Sequence, residues 1–113
     1  MSDYYEIGIF TCSMPEYADI IINHMKQVSF RLYRHHTIKM SNEYVKDLDR
    51  VGRDLKTMIL VDNLNKNFRL QKRNGIHVRS WYGDKKDNIL KKLSKELKAL
   101  AHEEPEDLRE ANF

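Results

Sequence analysis

A short apolar strand followed at once by helical spacing is the sequence feature that most constrains this fold. Tyr5–Phe10 (YEIGIF) is β-rich and predicts a buried strand. The pattern then becomes helical: Ser13 and Glu16 have the spacing of a capping box, and Pro15 suits a first turn. The helix is expected to reach about Lys26. Its apolar face is predicted to consist of Tyr17, Ile20, Ile21, His24 and Met25.

Further strand signals lie in the middle of the chain. Phe30–Met40 alternates loosely between apolar and polar residues, which suggests a short strand near Arg31–Tyr33. Met58–Val61 is an unbroken apolar run, typical of a strand covered on both faces, and it ends at Asp62-Asn63. Ile76–Val78 is a further short strand. A short helix weakened by Gly52 is indicated by the spacing of Val45, Leu48, Val51 and Leu55.

The last part of the chain predicts a helix and an acidic tail. Asp87 suits the cap of a helix in which leucines recur at helical spacing. Residues 103–113 are acidic and are expected to fray. Because strands alternate with helices, we expect an α/β domain built on a parallel sheet. No linker or repeat divides residues 1–113, which are expected to form a single domain.

The net charge of +3 hides a basic middle segment. Residues 26–86 carry +9, whereas residues 1–25 carry −4 and residues 87–113 carry −2. A basic segment attracts nucleic acid, acidic lipid or phosphorylated protein. It contains no basic run interleaved with aromatic residues that stack on bases, so we expect no nucleic-acid binding. No apolar run approaches the roughly 20 residues that span a bilayer, no secretory leader is visible, and the one cysteine, Cys12, suits a reducing compartment.

Two predicted strands end in residues that suit a phosphate and its counter-ion. Ligands of open α/β sheets bind beyond the carboxyl ends of the strands, where Thr11 and Asp62-Asn63 are expected. Thr11 also precedes a helix N-terminus, whose free N–H groups favour an anion. The Asp62 and Asn63 oxygens suit Mg²⁺, and Lys46 and Arg34 would add positive charge. Taken singly, these residues are more often caps, turns or solvated charges; their order and spacing point to a site.

Several separated motifs resemble one family, in that family's order. They are Tyr44–Leu55 (YVKDLDRVGRDL) followed by Met58–Asn63 (MILVDN), Phe10–Ser13 with Glu16–Asp19, Asn74–Ile76 and Ser80-Trp81. Together they resemble the haloacid-dehalogenase-type protein phosphatases of the RNA polymerase II C-terminal domain (CTD). That family includes the small CTD phosphatases, Dullard and the nuclear-LIM-interactor-interacting-factor proteins. The resemblance covers nearly the whole chain and implies a Rossmann-like parallel sheet flanked by helices.

The resemblance implies a role for each matching residue. Thr11 matches the family's second motif, whose hydroxyl bonds a phosphoryl oxygen, and Lys46 matches the third-motif lysine, which neutralises the phosphate. Asp62 and Asn63 match the fourth motif, in which the Asn63 position coordinates Mg²⁺ and Asp62 sits beside it. Thr11, Lys46 and Asp62 are therefore expected to be catalytic, and Asn63 and Asp62 to hold the metal.

The resemblance also implies a substrate side. Arg34 matches an arginine that contacts the phosphorylated peptide in the small CTD phosphatases. Tyr17 falls where those enzymes line a substrate pocket with apolar side chains. The expected partner is a phosphorylated protein or peptide, such as the CTD of RNA polymerase II, and the expected location is the nucleus or cytoplasm. The expected reaction is Mg²⁺-dependent hydrolysis of phosphoserine or phosphothreonine.

The family's first motif, Asp-x-Asp-x-Thr, has no match in this sequence. In the family it ends the central strand and supplies the aspartyl nucleophile and the general acid. Asp47-Leu-Asp49 has part of the spelling but follows no apolar strand. We therefore expect a sheet that lacks its central first strand, and no turnover by this chain alone through an aspartyl-phosphate. The chain is expected to be either a fragment of a longer phosphatase or a truncated product that binds without turnover.

Two other functions stay open at this stage, and so does the oligomeric state. One is a non-catalytic module of the same fold, either a phosphopeptide reader or a scaffold like the family's mitochondrial import-receptor branch, which departs from Asp-Asn at the fourth motif. The other is a nucleic-acid-binding domain, which rests on the basic middle alone. His35-His36 is not expected to bind zinc, because neighbours on a strand point to opposite faces and no third ligand has metal spacing. Cys12 is expected to be a structural thiol.

Overall fold

Short strands and helices build the part of the chain described by a computed structural model, residues 4–25, 27–78 and 89–110. The strands are β1 (Gly8–Phe10), β2 (Phe30–Leu32), β3 (Ile38–Met40), β4 (Glu43–Val45), β5 (Leu60–Asp62) and β6 (Gly75–His77). The α-helices are α1 (Pro15–Ile22) and α2 (Ile89–Glu103). Short 3-10 helices occur at Arg34–His36, Leu48–Val51, Leu55–Thr57, Asn65–Phe68, Lys72–Asn74 and Leu108–Glu110. None of the described helices is long and apolar enough to cross a membrane.

The strands pair two by two. β1 and β2 are parallel, with Gly8 opposite Phe30, and β5 and β6 are parallel, with Leu60 opposite Gly75. β3 and β4 form an antiparallel hairpin. The predicted combination of helices with parallel strands is confirmed, but the described residues form three two-stranded sheets rather than one continuous sheet. A haloacid-dehalogenase-like sheet that lacks its first strand stays a prediction.

A two-residue turn explains the hairpin, which the sequence analysis did not anticipate. Ser41 and Asn42 have positive φ angles of 49° and 63°, as in the tight turns that join antiparallel strands. Asparagine tolerates this region better than most residues do. Phe30–Met40 therefore contains both β2 and β3, where the loose alternation indicated one strand.

The short helix expected over Val45–Leu55 is wrong. Val45 ends β4, and two separate 3-10 helices follow it. Asp47 and Asp54 each begin one of them, because their carboxylates accept the backbone N–H two residues further on. Gly52, the predicted weak point, adopts a left-handed φ of 81° and ends the first of the two. Local capping thus divides a segment whose apolar spacing looks helical.

The apolar face predicted for α1 is wrong, because it points outward. Its members are all exposed: Tyr17, Ile20, Ile21, His24 and Met25. Ala18 and Ile22 are buried instead. The Asp19 carboxylate accepts hydrogen bonds from the Arg31 guanidinium at 2.9 Å and the Tyr33 hydroxyl at 2.6 Å. These bonds turn the side of the helix that carries Asp19 toward β2.

The ends of α1 also differ from the prediction. The N-cap is Met14, which makes no side-chain capping bond, so the capping box is wrong. The Ser13 N–H instead donates to Thr11 Oγ1 at 3.0 Å. Pro15 lies in the first turn as expected. The helix ends at Ile22, before the predicted end near Lys26, and Lys26 itself lies outside the described residues.

Two glycines allow phenyl rings to pack directly on parallel strands. A β-carbon on Gly8 would lie 2.0 Å from the Phe30 ring, and one on Gly75 would lie 2.1 Å from the Phe68 ring. Among the described residues, the buried apolar side chains are Ala18, Ile22, Val45, Leu48, Phe68, Leu93 and Leu100. Val61, in the middle of β5, is 37% exposed. The expectation of a strand covered on both faces is therefore wrong for the described structure.

The C-terminal helix is confirmed as α2. It packs against the start of the chain, where the Tyr5 hydroxyl donates to the Leu97 carbonyl oxygen at 2.6 Å. The predicted cap Asp87 lies outside the described residues, as does Ser80-Trp81. Within the predicted tail, Leu108–Glu110 contacts two other 3-10 helices, and the fraying of residues 103–113 stays a prediction.

Candidate functional site

The carboxyl ends of β1 and β5 meet at Lys46. The Lys46 Nζ lies 2.6 Å from Asp62 Oδ2 and 5.9 Å from the centroid of the Phe10 ring. Phe10 is the last residue of β1 and directly precedes Thr11. The structure therefore brings the predicted lysine and aspartate into contact, beside the strand that leads to the predicted threonine.

The Asp62 carboxylate is buried and fully hydrogen-bonded. Oδ2 accepts from Lys46 Nζ, Oδ1 accepts from the Leu64 N–H at 3.0 Å, and Asn67 Nδ2 lies 3.2 Å from Oδ1 and 3.1 Å from Oδ2. Burial alone raises the pKa of Asp62, but the bonds from Lys46, Asn67 and Leu64 outweigh it and lower this pKa below its usual value. Asp62 is therefore ionised at neutral pH.

The backbone of β4 brings Lys46 to this carboxylate. Val45, the preceding residue, is completely buried and anchors the strand end. The Lys46 N–H donates to the Asn67 carbonyl oxygen at 2.9 Å, and the Lys46 side chain is 9% exposed. A buried ammonium group needs a compensating charge, and Asp62 supplies it.

The loop after β1 holds Thr11 in a tight turn. The Thr11 N–H continues the β1–β2 ladder by donating to the Leu32 carbonyl oxygen at 2.9 Å. Its Oγ1 accepts the Ser13 N–H, a bond that does not use the hydroxyl hydrogen. The Thr11 hydroxyl thus keeps a proton that it can donate to an anion.

Arg34 joins this loop to the β3–β4 hairpin. Its Nε donates to the Cys12 carbonyl oxygen at 2.7 Å, and its backbone N–H donates to the Ser13 carbonyl oxygen at 3.2 Å. The guanidinium carbon lies 5.1 Å from the centroid of the Tyr44 ring, within cation–π range. Arg34 is exposed, so an oriented cation faces solvent beside the Thr11 loop.

These residues all lie within one family profile. The profile described as "NLI interacting factor-like phosphatase" matches residues 1–109. The chain belongs to this family. The family resemblance inferred from the separated motifs is therefore confirmed.

Curated relatives of this chain have several names. CTD small phosphatase-like protein 2 of Dictyostelium discoideum is 36% identical over 92% of this chain and 19% of that protein. CTD nuclear envelope phosphatase 1B of Danio rerio is 35% identical over 96% of this chain and 45% of that protein. Mitochondrial import inner membrane translocase subunit TIM50 of Mus musculus is 36% identical over 96% of this chain and 32% of that protein. The chain thus spans less than half the length of each of these relatives.

The other two predicted site residues of this family member have different surroundings. Asn63 directly follows Asp62, and its carbonyl oxygen lies 3.0 Å from His77 Nε2. Tyr17 is 68% exposed on the outer side of α1. The roles of Asn63 in metal binding and of Tyr17 in substrate binding stay predictions.

The side chains that most often bind metals are not clustered in the described part of this chain. Residues 4–25, 27–78 and 89–110 contain no group of three or more His, Cys, Asp or Glu side chains that could hold a metal ion. The expectation that His35 and His36 point to opposite faces is wrong: both lie in a 3-10 helix, with ring centroids 4.0 Å apart. The His36 Nδ1 accepts the Tyr33 N–H at 2.9 Å. Cys12 is half-buried.

Sequence reasoning missed Asn67, which contacts both members of the buried ion pair. Its amide binds Asp62, and its carbonyl oxygen accepts the Lys46 N–H. The segment around it shows no periodic pattern, because it forms a single 3-10 helix after β5. The available signal was a polar amide shortly after a strand-ending aspartate, which also occurs in ordinary turns.

Proposed function

We propose that this chain is the phosphate-binding part of a phosphoprotein phosphatase that acts on phosphoserine or phosphothreonine, and that it does not turn over substrate alone. The observation that carries the proposal is the buried Lys46–Asp62 pair where β1 and β5 end. An ammonium group has three N–H donors. Lys46 gives one to Asp62, which leaves donors for a phosphoryl oxygen.

Three groups would bind the phosphate dianion together. The Thr11 hydroxyl donates a hydrogen bond, Lys46 supplies a buried charge, and the planar Arg34 guanidinium supplies paired N–H donors from the solvent side. Preset donors of this kind stabilise the charge of a transferring phosphoryl group. The exposed Tyr17 on α1 is proposed to contact the peptide outside the phosphate, and the CTD of RNA polymerase II is a proposed substrate.

The oxygen donors at the end of β5 fit Mg²⁺, which keeps several waters and takes few protein ligands. Asn63 would be the ligand of the ion. Asp62 would lie next to it and contribute negative charge, since the oxygens of Asp62 are already hydrogen-bonded to Lys46, Asn67 and Leu64. The ion would neutralise charge on the phosphoryl oxygens. In this arrangement Asp62 acts chiefly through Lys46.

The proposed lack of turnover follows from the absent Asp-x-Asp-x-Thr motif. The partial match Asp47-Leu-Asp49 is a poor substitute, because Asp47 caps a 3-10 helix and accepts the Gln71 amide at 2.7 Å. We therefore propose neither Asp47 nor Asp49 as the nucleophile that would form an aspartyl-phosphate. We propose that the strand with the nucleophile, the central first strand of the sheet, is not within these 113 residues.

A phosphatase assay tests the catalytic part of the proposal. The 113-residue chain, given a phosphoserine peptide and Mg²⁺, is expected to release no phosphate above the buffer rate. Phosphate release that disappears in Asn63→Ala would contradict the account of the missing nucleophile.

A binding assay tests the phosphate site itself. The chain is expected to bind a fluorescent phosphoserine peptide more tightly than its unphosphorylated form. Arg34→Ala should weaken this binding about tenfold, because a charge-assisted hydrogen bond is lost, and Thr11→Val should weaken it less. The matched control is Arg50→Ala, which removes an exposed arginine from another 3-10 helix. An equal loss of affinity in Arg34→Ala and Arg50→Ala would show that Arg34 contributes only general charge attraction and no specific contact with the phosphate.

The second candidate function is a non-catalytic phosphopeptide-binding or scaffold module of the same fold. The similarity to proteins named as mitochondrial import translocase subunits favours it. A reader binds the phosphopeptide without turnover, whereas a scaffold binds neither form of the peptide. We also propose a nuclear or cytoplasmic location. The relatives include both a protein named as a nuclear envelope phosphatase and one named as a mitochondrial translocase subunit.

A further inference from the structure

Asn67 contacts both partners of the Lys46–Asp62 ion pair. It lies in the 3-10 helix that follows β5, and it is 7% exposed. Its Nδ2 lies 3.2 Å and 3.1 Å from the two Asp62 carboxylate oxygens. Its carbonyl oxygen accepts the Lys46 N–H at 2.9 Å. One buried residue therefore holds the carboxylate by its side chain and the lysine by its backbone.

The bonds to Asp62 leave its carboxylate little freedom to turn. Oδ1 accepts from Leu64 and Asn67, and Oδ2 accepts from Lys46 and Asn67. A carboxylate offers about four acceptor positions, so these bonds use its capacity. The Asn67 amide spans both oxygens and thereby sets the plane of the carboxylate, which in turn sets the direction from which Lys46 approaches.

We propose that Asn67 is a positioning residue for phosphate binding: it fixes Asp62 as the partner of Lys46, and so fixes the Lys46 ammonium where β1 and β5 end. This inference rests on the proposed function, because it concerns the same phosphate site. Asn67 itself does not touch the phosphate. Without its amide, Asp62 can rotate in its pocket, and the Lys46 ammonium loses its fixed place.

The test replaces the amide by groups of the same shape. Asn67→Leu removes both amide functions, and Asn67→Asp places a carboxylate against Asp62. Both retain the backbone carbonyl that accepts the Lys46 N–H. The matched controls are Asn65→Leu and Asn65→Asp, since Asn65 lies exposed in the same 3-10 helix. Backbone amide NMR spectra show which variants fold, and Asn67→Asp carries the test if Asn67→Leu does not.

Two readouts separate positioning from a merely structural role. The first is the NMR signal of the Lys46 side-chain ammonium, which should persist at neutral pH in the parent chain because Lys46 is buried and bonded to Asp62. It should disappear in the Asn67 variants while their backbone spectra remain folded. The second is affinity for a phosphoserine peptide, which should fall about tenfold or more in the Asn67 variants and stay within about twofold in the Asn65 controls.

The two readouts also separate this inference from the proposed function. If the parent chain binds no phosphopeptide, the proposed function fails, while the ammonium signal still decides whether Asn67 positions Lys46. A folded Asn67 variant that keeps the Lys46 ammonium signal overturns the inference. Where the parent chain binds the phosphopeptide, a folded Asn67 variant whose affinity equals that of its Asn65 control also overturns the inference.

Discussion

The two parallel strand pairs, β1–β2 and β5–β6, are built alike but differ in how their carboxyl ends are held. Each pair has a glycine facing a phenyl ring, Gly8 with Phe30 and Gly75 with Phe68. Beyond β1, however, the loop that carries Thr11 is joined to the exposed Arg34, whereas β5 ends in a buried and saturated carboxylate. One end is exposed, and the other is buried and held by four hydrogen-bond contacts.

This difference suits the proposed phosphopeptide site, which would have to hold a charge yet admit a peptide. Preorganised charge binds a phosphate without reorganisation at the moment of binding. In the proposed function the exposed Arg34, whose guanidinium lies 5.1 Å from the Tyr44 ring centroid, meets the peptide from the solvent side. Stability should therefore depend mainly on the β5 end, and ligand affinity should depend on both ends.

The largest difference is expected when one cation is removed from each end. Lys46→Met should destabilise the chain by about 3–5 kcal/mol, because it leaves the Asp62 charge buried without a partner. Arg34→Ala should cost about 1 kcal/mol, since the cation–π contact with Tyr44 and the hydrogen bond to the Cys12 carbonyl oxygen that it removes are both exposed to solvent. Urea unfolding followed by circular dichroism measures both. Similar losses for the two variants would show that the β5 end is not the more rigid one.

The double variant Lys46→Met with Asp62→Leu sharpens this test. Apolar replacement of a whole buried pair is often neutral, whereas loss of one partner is not. The double variant should therefore recover much of the stability that Lys46→Met loses. If the double variant recovers no stability, the loss in Lys46→Met arises from packing rather than from the unpaired charge of Asp62.

A second comparison lies within α1, which belongs to the β1–β2 half. Ile22 is 3% exposed and Ile21 is 64% exposed. Ile22→Ala should cost about 2–5 kcal/mol, because it leaves a cavity, and Ile21→Ala should change the free energy of unfolding by no more than about 0.5 kcal/mol. Urea unfolding of the two variants measures the difference. An equal cost would mean that α1 packs by the face its apolar spacing predicts.

A third comparison tests the two glycines. Gly75→Ala should cost about 1–3 kcal/mol, because a methyl group would collide with the base of the buried Phe68 ring. Gly8→Ala should cost less, since the atoms in its way are at the far end of the half-buried Phe30 ring, which can swing aside. Thermal unfolding of both variants ranks them. The reverse order would show that β1–β2 is the more tightly packed pair.

Two strand positions were predictable from local signals in the sequence. The apolar run Met58–Val61 overlaps β5 and stops at Asp62, and the predicted strand Ile76–Val78 overlaps β6. That Lys46 and Asp62 share a site was expected only through the family resemblance, because no spacing rule relates a residue after β4 to the end of β5. The ion pair between them was not predicted. The contacts of Asn67 with Asp62 and Lys46 were missed because they depend on how the 3-10 helix after β5 packs against the ends of β4 and β5.

The orientation of α1 was not predictable from its apolar spacing. Hydrophobic period identifies a helix and its apolar face, but Asp19 fixes which face meets β2 through bonds to Arg31 and Tyr33. A three-residue strand buries little apolar surface, so these polar bonds decide the orientation. The same reasoning explains the β3–β4 hairpin, which depends on left-handed conformations at Ser41 and Asn42 rather than on strand period.

The smallest expected effect is a pH dependence of the α1–β2 attachment. The Tyr33 hydroxyl, aided by Arg31 and opposed by desolvation, lowers the pKa of Asp19 below its usual value. A carboxyl with a lowered folded-state pKa adds stability above its unfolded pKa and loses it as the pH falls through the folded value. Asp19→Asn should therefore lower the melting temperature at neutral pH, and the difference from the parent chain should shrink between about pH 5 and pH 2.

Glu16→Gln is the matched control for Asp19→Asn, because Glu16 is an exposed carboxyl on the same helix. Asp107, whose pKa is lowered to about 2 by its hydrogen bonds with Arg109, titrates in the parent chain and in both variants. Some acid sensitivity should therefore remain after either substitution, and only the part that Asp19→Asn removes belongs to α1. A melting-temperature difference that stays constant with pH would separate the orientation of α1 from the charge of Asp19. In that case the packing of Ala18 and Ile22, rather than the charge of Asp19, would hold α1 against the β1–β2 pair.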